Sequence, residues 1–139
     1  IDVIGTDHAP HPAESKECEW ACAANGMTGL EQALSIIQMT LVEPGHITWA
    51  DVARIMSETP AKIGSLDAEQ GRPLAEGEPA NIVLVDPKAS RVIKPEDQAT
   101  KGKNNPYRGM EVPGVVRATF YAGHPTVLNG ELASPRWQA

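Results

Sequence analysis

Residue types that could do chemistry cluster in one short stretch near the start of the chain, GTDHAPH at residues 5–11. Asp7 and His11 stand four residues apart, just after an apolar, β-branched run that predicts a strand over residues 1–5. Strand ends are where α/β barrels keep their catalytic groups. An aspartate there could bind a metal or transfer a proton during hydrolysis. On spacing alone, such a pair more often only caps a turn.

Two prolines stiffen the loop that carries these side chains. Pro10 and Pro12 each fix one φ angle, so the loop loses less conformational entropy when it becomes ordered. A stiff loop can hold a carboxylate and an imidazole in place for a reaction. The sequence therefore predicts that Asp7 and His11 are preorganised.

Other groups of potential metal ligands are less convincing. His8 and His11 could form a local metal pair, but zinc takes three or four protein ligands and no third lies near in sequence. The spacing of Cys18 and Cys22 fits neither a redox pair nor a zinc ribbon. We therefore expect both cysteines to be reduced thiols.

A second candidate site lies directly before a predicted helix. Asn25 and Gly26 precede TGLE at residues 28–31, which has the form of a capping box between Thr28 and Glu31. Glycine lets a ligand approach the backbone closely, and free N–H groups near a helix N-terminus favour anions or carbonyl oxygens. Asn25 and Gly26 are therefore candidate substrate contacts. A glycine needed only for the turn is an equally good interpretation.

Sequence patterns beyond these sites predict two helices followed by several strands. An apolar stripe runs from Leu30 to Leu41, and a second helix begins near Thr48. Turn residues become frequent after residue 66, where we place a domain boundary. Strands are predicted over residues 82–85, 91–93, 115–122 and 125–128, with a hairpin turn at Asn129-Gly130.

The stretch KGKNNP at residues 101–106 has the look of a phosphate loop. It lacks the upstream glycine, the Ser or Thr after lysine and a following helix that such loops need. We predict a solvated basic loop instead.

Composition places the chain among globular proteins. Its 139 residues are 41% hydrophobic, and 18 acidic against 12 basic side chains give a net charge of −6. This charge disfavours nucleic-acid binding, which needs a basic surface. The apolar runs are shorter than the roughly 20 residues that span a bilayer, and no basic signal region is present, so we expect a cytoplasmic protein. The start at Ile1, inside an apolar run, predicts a fragment.

Five segments resemble the dihydroorotases of the amidohydrolase superfamily and together cover nearly the whole chain. They are IGTDHAPH at residues 4–11, GMTGLE at 26–31, SETPAKI at 57–63, GEPANIVLVD at 77–86 and KGKNNPY at 101–107. The resemblance implies an α/β fold in which residues 1–66 are the C-terminal part of a TIM-barrel amidohydrolase, its last strand and helices. Residues 67–139 would be part of a small accessory β-sandwich domain. A complete barrel needs about 250 residues, so this chain cannot close one.

The same resemblance implies roles for individual residues. Asp7 corresponds to the metal-ligating catalytic aspartate, which relays a proton to the ring nitrogen as the cyclic amide opens. His11 would bind substrate, and it separates dihydroorotases from hydantoinases and allantoinases, which usually carry phenylalanine or cysteine there. Asn25 and Gly26 match positions whose backbone meets the substrate ring, although phenylalanine is common in place of Asn25.

The implied activity is the reversible, zinc-dependent hydrolysis of dihydroorotate to N-carbamoyl-aspartate in pyrimidine biosynthesis. The remaining zinc ligands are expected upstream of residue 1, so the chain by itself is expected to be inactive. Expected partners are the small-molecule substrate and either further copies of the chain or an aspartate carbamoyltransferase. The alternatives are an allantoinase or hydantoinase, and a noncatalytic dihydroorotase-like scaffold subunit.

Overall fold

The computed structural model describes residues 1–133, in which short helices come first and a β-sheet follows. The helices are α1 (Ala13–Lys16), α2 (Ala33–Ile37), α3 (Trp49–Ala53) and α4 (Thr59–Ile63). One π-helical segment, Gln38–Val42, extends α2, and another, Arg54–Glu58, joins α3 to α4. The strands are β1 (Ile82–Val92), β2 (Glu111–Tyr121), β3 (His124–Leu128) and β4 (Glu131–Leu132). The last residues of the second predicted domain, 134–139, lie outside the described part of the chain.

The predicted capping box before α2 is wrong. The helix begins only at Ala33, and no side chain caps it. The Glu31 carboxylate instead accepts hydrogen bonds from the N–H groups of Ala99 and Thr100, at 3.3 and 3.0 Å. Thr28 is buried, and its hydroxyl has no hydrogen-bond partner. The glutamate is therefore used to hold a distant loop rather than to cap its own helix.

The predicted start of the second helix at Thr48 is confirmed. The Asp51 N–H donates to the Thr48 hydroxyl at 3.2 Å, and the Asp51 carboxylate accepts from the Thr48 N–H at 2.9 Å, which forms a capping box. The backbone hydrogen bond from Thr48 holds the pKa of Asp51 below its usual value. Val52 and Ile55 are buried on one face of this helix. None of the helices in residues 1–133 is long and apolar enough to cross a membrane.

The four strands form one antiparallel sheet in the order β1-β2-β3-β4. Two-residue turns join the last three strands, and their residues have left-handed backbone: Ala122 and Gly123 in the first turn, Asn129 and Gly130 in the second. Such turns match the twist of paired strands. The predicted strands after residue 115 and the Asn129-Gly130 turn are therefore confirmed, whereas the two strands predicted over residues 82–93 are one strand, β1.

Helix α2 packs on the sheet where the sheet is irregular. The pairing of β1 with β2 shifts register between Asp86 and Ser90, opposite Gly114. The hydroxyl of Ser35 donates to the Gly114 carbonyl at 3.0 Å, and the Gln38 amide donates to the Pro87 carbonyl at 2.7 Å. Both polar side chains are buried. The extra residues in β1 thus free carbonyl groups that the helix can use.

The strand predicted over residues 1–5 is not formed. A strand needs a neighbouring strand to satisfy its backbone groups, and within residues 1–133 none lies alongside this segment. Its contacts include a hydrogen bond from the Ile4 N–H to the Ile55 carbonyl, at 3.2 Å. Further along, an isolated parallel bridge joins His8 to Met27. That bridge, rather than a strand, brings residues 6–11, the Asp7 loop, beside the segment that precedes α2.

Candidate active site

Asp7 combines an unusual backbone conformation with an available carboxylate. Its φ is 46°, in the left-handed region that non-glycine residues rarely adopt and that aspartate tolerates better than most. The residue is exposed, and its side chain forms no hydrogen bond or ion pair with any other residue of the described chain. Strained backbone of this kind is found at functional sites more than elsewhere. The carboxylate is thus free to meet a ligand from outside this segment.

His8 has a structural role, which weighs further against the His8–His11 metal pair that was unconvincing from sequence. The Nδ1 atom of His8 accepts hydrogen bonds from the N–H groups of Gly29 and Leu30, at 3.1 and 3.2 Å. Because both neighbours are donors, Nδ1 is unprotonated and a neutral ring carries its proton on Nε2. Neither nitrogen then has a lone pair for a metal. The imidazole thus satisfies two backbone N–H groups in the segment that precedes α2.

His11 and Gly26, two of the predicted site residues, lie next to each other. A Cβ atom added to Gly26 would stand 3.7 Å from Nε2 of His11 and only 2.6 Å from Cβ of Ala9. The φ of Gly26 is +103°, which also favours glycine. Glycine is therefore required here both by its backbone angle and by the close approach of the Asp7 loop.

Asn25 is exposed, and the residues on either side of it are held by one lysine. The Lys16 ammonium donates to the carbonyl of Ala24 at 2.6 Å and to that of Gly26 at 3.1 Å. These bonds turn both carbonyls toward Lys16. The segment is thus fixed by its main chain, which is compatible with backbone contacts at Asn25 and Gly26.

A third segment, residues 98–105, packs directly on the Asp7 loop. Gly102 is buried, and a Cβ atom there would stand 2.7 Å from Cβ of Pro10 and 2.8 Å from the nitrogen of His11. The Asn104 side chain bonds to the backbone of Ala9, His11 and Gly26. The prediction of a solvated basic loop at residues 101–106 therefore holds for its two exposed lysines but is wrong for its glycine and both asparagines, which face the protein.

Buried amides hold this third segment in place. The Gln98 side chain donates to the Gln32 amide oxygen at 3.0 Å and accepts from the Asn105 amide at 3.1 Å. The Gln32 amide in turn donates to the Thr28 carbonyl at 2.7 Å. Gln32, Gln98 and Asn105 are all buried. A fully bonded buried network of this kind fixes a loop more firmly than surface contacts do.

Comparison with known proteins identifies the family of this chain. The sequence model of the Amidohydrolase family matches residues 1–126. The chain belongs to the amidohydrolase family. It is similar to the dihydroorotase of Leifsonia xyli subsp. xyli, with 52% identity over 130 residues, which are 94% of this chain and 30% of that protein. The dihydroorotase of Streptomyces coelicolor is 50% identical over 132 residues, 95% of this chain and 31% of its own length. The chain thus spans less than a third of these curated relatives.

Solved structures of hydantoinases and dihydropyrimidinases resemble this amidohydrolase chain along almost its whole length. The L-hydantoinase (dihydropyrimidinase) from Arthrobacter aurescens superposes with a TM-score of 0.87 at 29% identity, over 96% of this chain and 30% of that one. Dihydropyrimidinase from Brevibacillus agri superposes with a TM-score of 0.86, also at 29% identity, over 95% of this chain and 29% of its own.

The metal chemistry of amidohydrolases places a limit on what this segment can contribute. Within residues 1–133 no group of three or more His, Cys, Asp or Glu side chains could hold a metal ion. The exposed and unpaired carboxylate of Asp7 fits the role of one ligand. Cys18 and Cys22 are free and exposed, as predicted. Residues 1–133 therefore do not form a complete metal site by themselves.

Asn104 is the residue of this amidohydrolase site that sequence reasoning missed. A signal was present, because KGKNNPY at residues 101–107 is one of the five segments that carried the family resemblance. Its two lysines made it look like a solvent-exposed charge cluster. Gly102, which is small, and Asn104, which can bond to backbone, are the residues that contact the site.

Proposed function

We propose that this chain is the part of a dihydroorotase that supplies the catalytic aspartate and a substrate-binding histidine. The observation that carries the proposal is the close approach of His11 to Gly26, on the same loop as Asp7, whose exposed carboxylate has no partner within the described chain. The two relatives named dihydroorotase, at 52% and 50% identity, support the same assignment. The reaction is the reversible hydrolysis of dihydroorotate to N-carbamoyl-aspartate.

Asp7 acts as the proton carrier in this proposal. A zinc ion bound with help from Asp7 would polarise the amide carbonyl and lower the pKa of water toward neutrality. The carboxylate takes up a proton as water attacks and delivers it to the ring nitrogen as the amide bond breaks. Asp7 has a left-handed backbone, and its exposed side chain bonds to no other described residue.

His11 and the segment at Asn25 and Gly26 bind and orient the ring. The His11 imidazole donates to the carboxylate of dihydroorotate, a group that hydantoin and allantoin lack. The backbone of Asn25 and Gly26 meets the ring amide. Holding the ring in this way places its amide carbonyl in position for attack by water. Such orientation of the reacting groups is a large part of the rate enhancement that an active site provides.

The fold proposed around this site has two parts. Residues 1–66 form the last strand and helices of a TIM barrel, and residues 67–139 form part of a small β-sandwich. The likeness to amidohydrolase structures over nearly the whole chain supports this division. In such a barrel residues 1–5 would acquire the neighbouring strand that they lack within this chain, and Asp7 would follow at the strand end.

The test is an assay of the full-length natural protein that contains this chain, supplied with zinc, on dihydroorotate, hydantoin and allantoin. We expect the highest kcat/KM with dihydroorotate. His11→Ala should lower that value at least about tenfold, since it removes a charge-assisted hydrogen bond, and His124→Ala, which changes an exposed histidine at the start of β3, should not.

Other outcomes would assign the protein differently. Preference for hydantoin or allantoin would favour the cyclic amidohydrolase alternative, which the similarity to hydantoinase structures supports. A zinc-loaded protein that turns over none of the three substrates would be a scaffold subunit, and its partner would then be sought among carbamoyltransferases or copies of itself.

A further inference from the structure

The side chain of Asn104 joins the two segments that carry the proposed substrate contacts. We propose that Asn104 is a positioning residue that sets the separation of His11 and Gly26. This inference rests on the proposed function, because it concerns how the same substrate site is held. Asn104 itself acts through the backbone of its neighbours.

Both atoms at the end of the Asn104 side chain, Oδ1 and Nδ2, form hydrogen bonds in this contact. Its Oδ1 accepts from the His11 N–H at 3.0 Å. Its Nδ2 donates to the Ala9 carbonyl at 2.9 Å and to the Gly26 carbonyl at 3.3 Å. An asparagine side chain has one acceptor oxygen and two donor hydrogens, and each has a partner here. One planar group thus fixes both sides of the site at once.

The backbone of Asn104 adds a further link to the same segment. Its carbonyl accepts from the Thr28 N–H at 3.1 Å. Between the two loops themselves, the Ala9 N–H donates to the Met27 carbonyl at 2.9 Å. The Asp7 loop and the segment at residues 26–28 therefore share one direct backbone hydrogen bond besides their packing, and several further hydrogen bonds join them through Asn104.

Asn104 can position other residues because its own segment is rigid. Gly102 packs against Pro10 with no room for a side chain. The Lys103 ammonium closes the segment by donating to the carbonyls of Gln98 and Thr100, at 2.9 and 2.8 Å. The buried amides of Gln32, Gln98 and Asn105 anchor it further. Movement of Asn104 would require several of these contacts to break together.

The test is the substitution Asn104→Ala in the full-length, zinc-loaded natural protein. Small displacements of groups that orient a substrate reduce its reaction strongly. We expect KM for dihydroorotate to rise at least about tenfold, with a smaller fall in kcat, because Asp7 remains unchanged. Hydrogen exchange at the His11 amide should become faster, since its acceptor is gone.

Asn81→Ala is the matched control. The Asn81 side chain likewise links distant backbone groups, donating to the Glu69 carbonyl at 2.8 Å and accepting from the Ala122 N–H at 2.7 Å. It does so beside the sheet, away from His11. We expect this variant to keep the wild-type KM even if its Tm falls.

Asn104→Asp provides a second variant should the alanine protein fail to fold. It keeps an acceptor for the His11 N–H but sets a carboxylate against the carbonyls of Ala9 and Gly26, so KM should again rise. The inference is overturned if a folded Asn104 variant has a KM within about twofold of wild type, or if Asn81→Ala raises KM equally. Wild-type protein that does not turn over dihydroorotate would overturn the proposed function and this inference with it.

Discussion

The active-site loops and the β-sheet of this chain are held together by different kinds of contact. Backbone ladders and two-residue turns hold the sheet. The loops at residues 6–11, 25–30 and 98–105 form no regular element together, and side-chain amides and close-packed glycines hold them instead. A ladder distributes its stability over many residues. A loop site concentrates it in a few, so single substitutions should have larger effects there.

Two aspartates show the same contrast on a smaller scale. Asp86 in β1 bonds to Arg117 at 2.9 Å and accepts from the N–H groups of Lys88 and Ala89. The Arg117 guanidinium, with these N–H groups, holds the pKa of Asp86 below its usual value. Asp7 has no such partner within the described chain. The paired carboxylate of Asp86 stabilises its own turn, whereas the unpaired carboxylate of Asp7 remains free to meet a ligand.

The largest expected effect comes from Asp7→Asn. The amide retains the shape of the side chain but cannot carry the proton, so kcat should fall at least about a thousandfold, as expected for loss of an acid–base group that also binds the metal. Circular dichroism should show an unchanged fold. Activity close to wild type would remove Asp7 from the mechanism.

Asp86→Asn is the control for that substitution. It changes an aspartate of the sheet that is already paired with Arg117. We expect turnover close to wild type. A similar loss of activity in both variants would mean that the effect on Asp7 is not specific to the site.

Sequence patterns predicted the parts of this molecule that depend on local geometry. Asn129-Gly130 suits a tight hairpin whatever surrounds it, and Thr48 caps a helix through a residue three positions away. The equivalent spacing of Thr28 and Glu31 failed, because residues 99 and 100 are distant in sequence and compete for the glutamate. Local rules cannot include such a competitor.

The residues of the candidate site also differ in whether local sequence patterns could predict them. Asp7, His11 and Gly26 could be predicted as site residues because they lie in recognisable motifs, and His11 and Gly26 are neighbours in the structure. Asn104 was missed because its role exists only once residues 93 positions away are brought to it. The predicted strand at residues 1–5 failed for a related reason, since a strand depends on partners that a local pattern does not specify.

An intermediate effect on activity is expected from Gly102→Ala in the loops, and it is compared with a glycine substitution in the sheet. In Gly102→Ala the new Cβ would meet the backbone of Pro10 and His11 at 2.8 Å, so something must shift. We expect a loss of about 2 kcal/mol of unfolding free energy and a fall in kcat/KM of roughly tenfold. Thermal unfolding and steady-state kinetics on the full-length protein measure both.

Gly123→Ala is the counterpart in the sheet. Gly123 has a φ of +80°, and a Cβ atom there would meet nothing within 4 Å. The cost is then only that of left-handed backbone, about 1 kcal/mol, with no change in kcat/KM. Equal kinetic effects in the two variants would show that the site is not more sensitive than the sheet.

The smallest expected effect concerns a surface ion pair outside both regions. The Arg72 guanidinium donates to both carboxylate oxygens of Glu78, at 2.7 Å each. These hydrogen bonds hold the pKa of Glu78 below its usual value. A carboxylate whose pKa is lower in the folded state stabilises the fold above the ordinary glutamate pKa of about 4.3, and this stabilisation is lost as pH falls through the folded-state value.

Glu78→Gln should therefore lower Tm slightly at pH 7 and leave it equal to wild type at acid pH, once Glu78 is protonated in both states. The pair is bidentate, which favours a measurable effect, but exposed ion pairs contribute little and are weakened by salt. The measurement is the Tm of Glu78→Gln and of wild type from pH 3 to pH 8 in low salt. Glu76→Gln, at a nearby exposed glutamate, is the control and should show no such pH dependence. A gap between Glu78→Gln and wild type that widened on acidification would contradict the sign of the pKa shift.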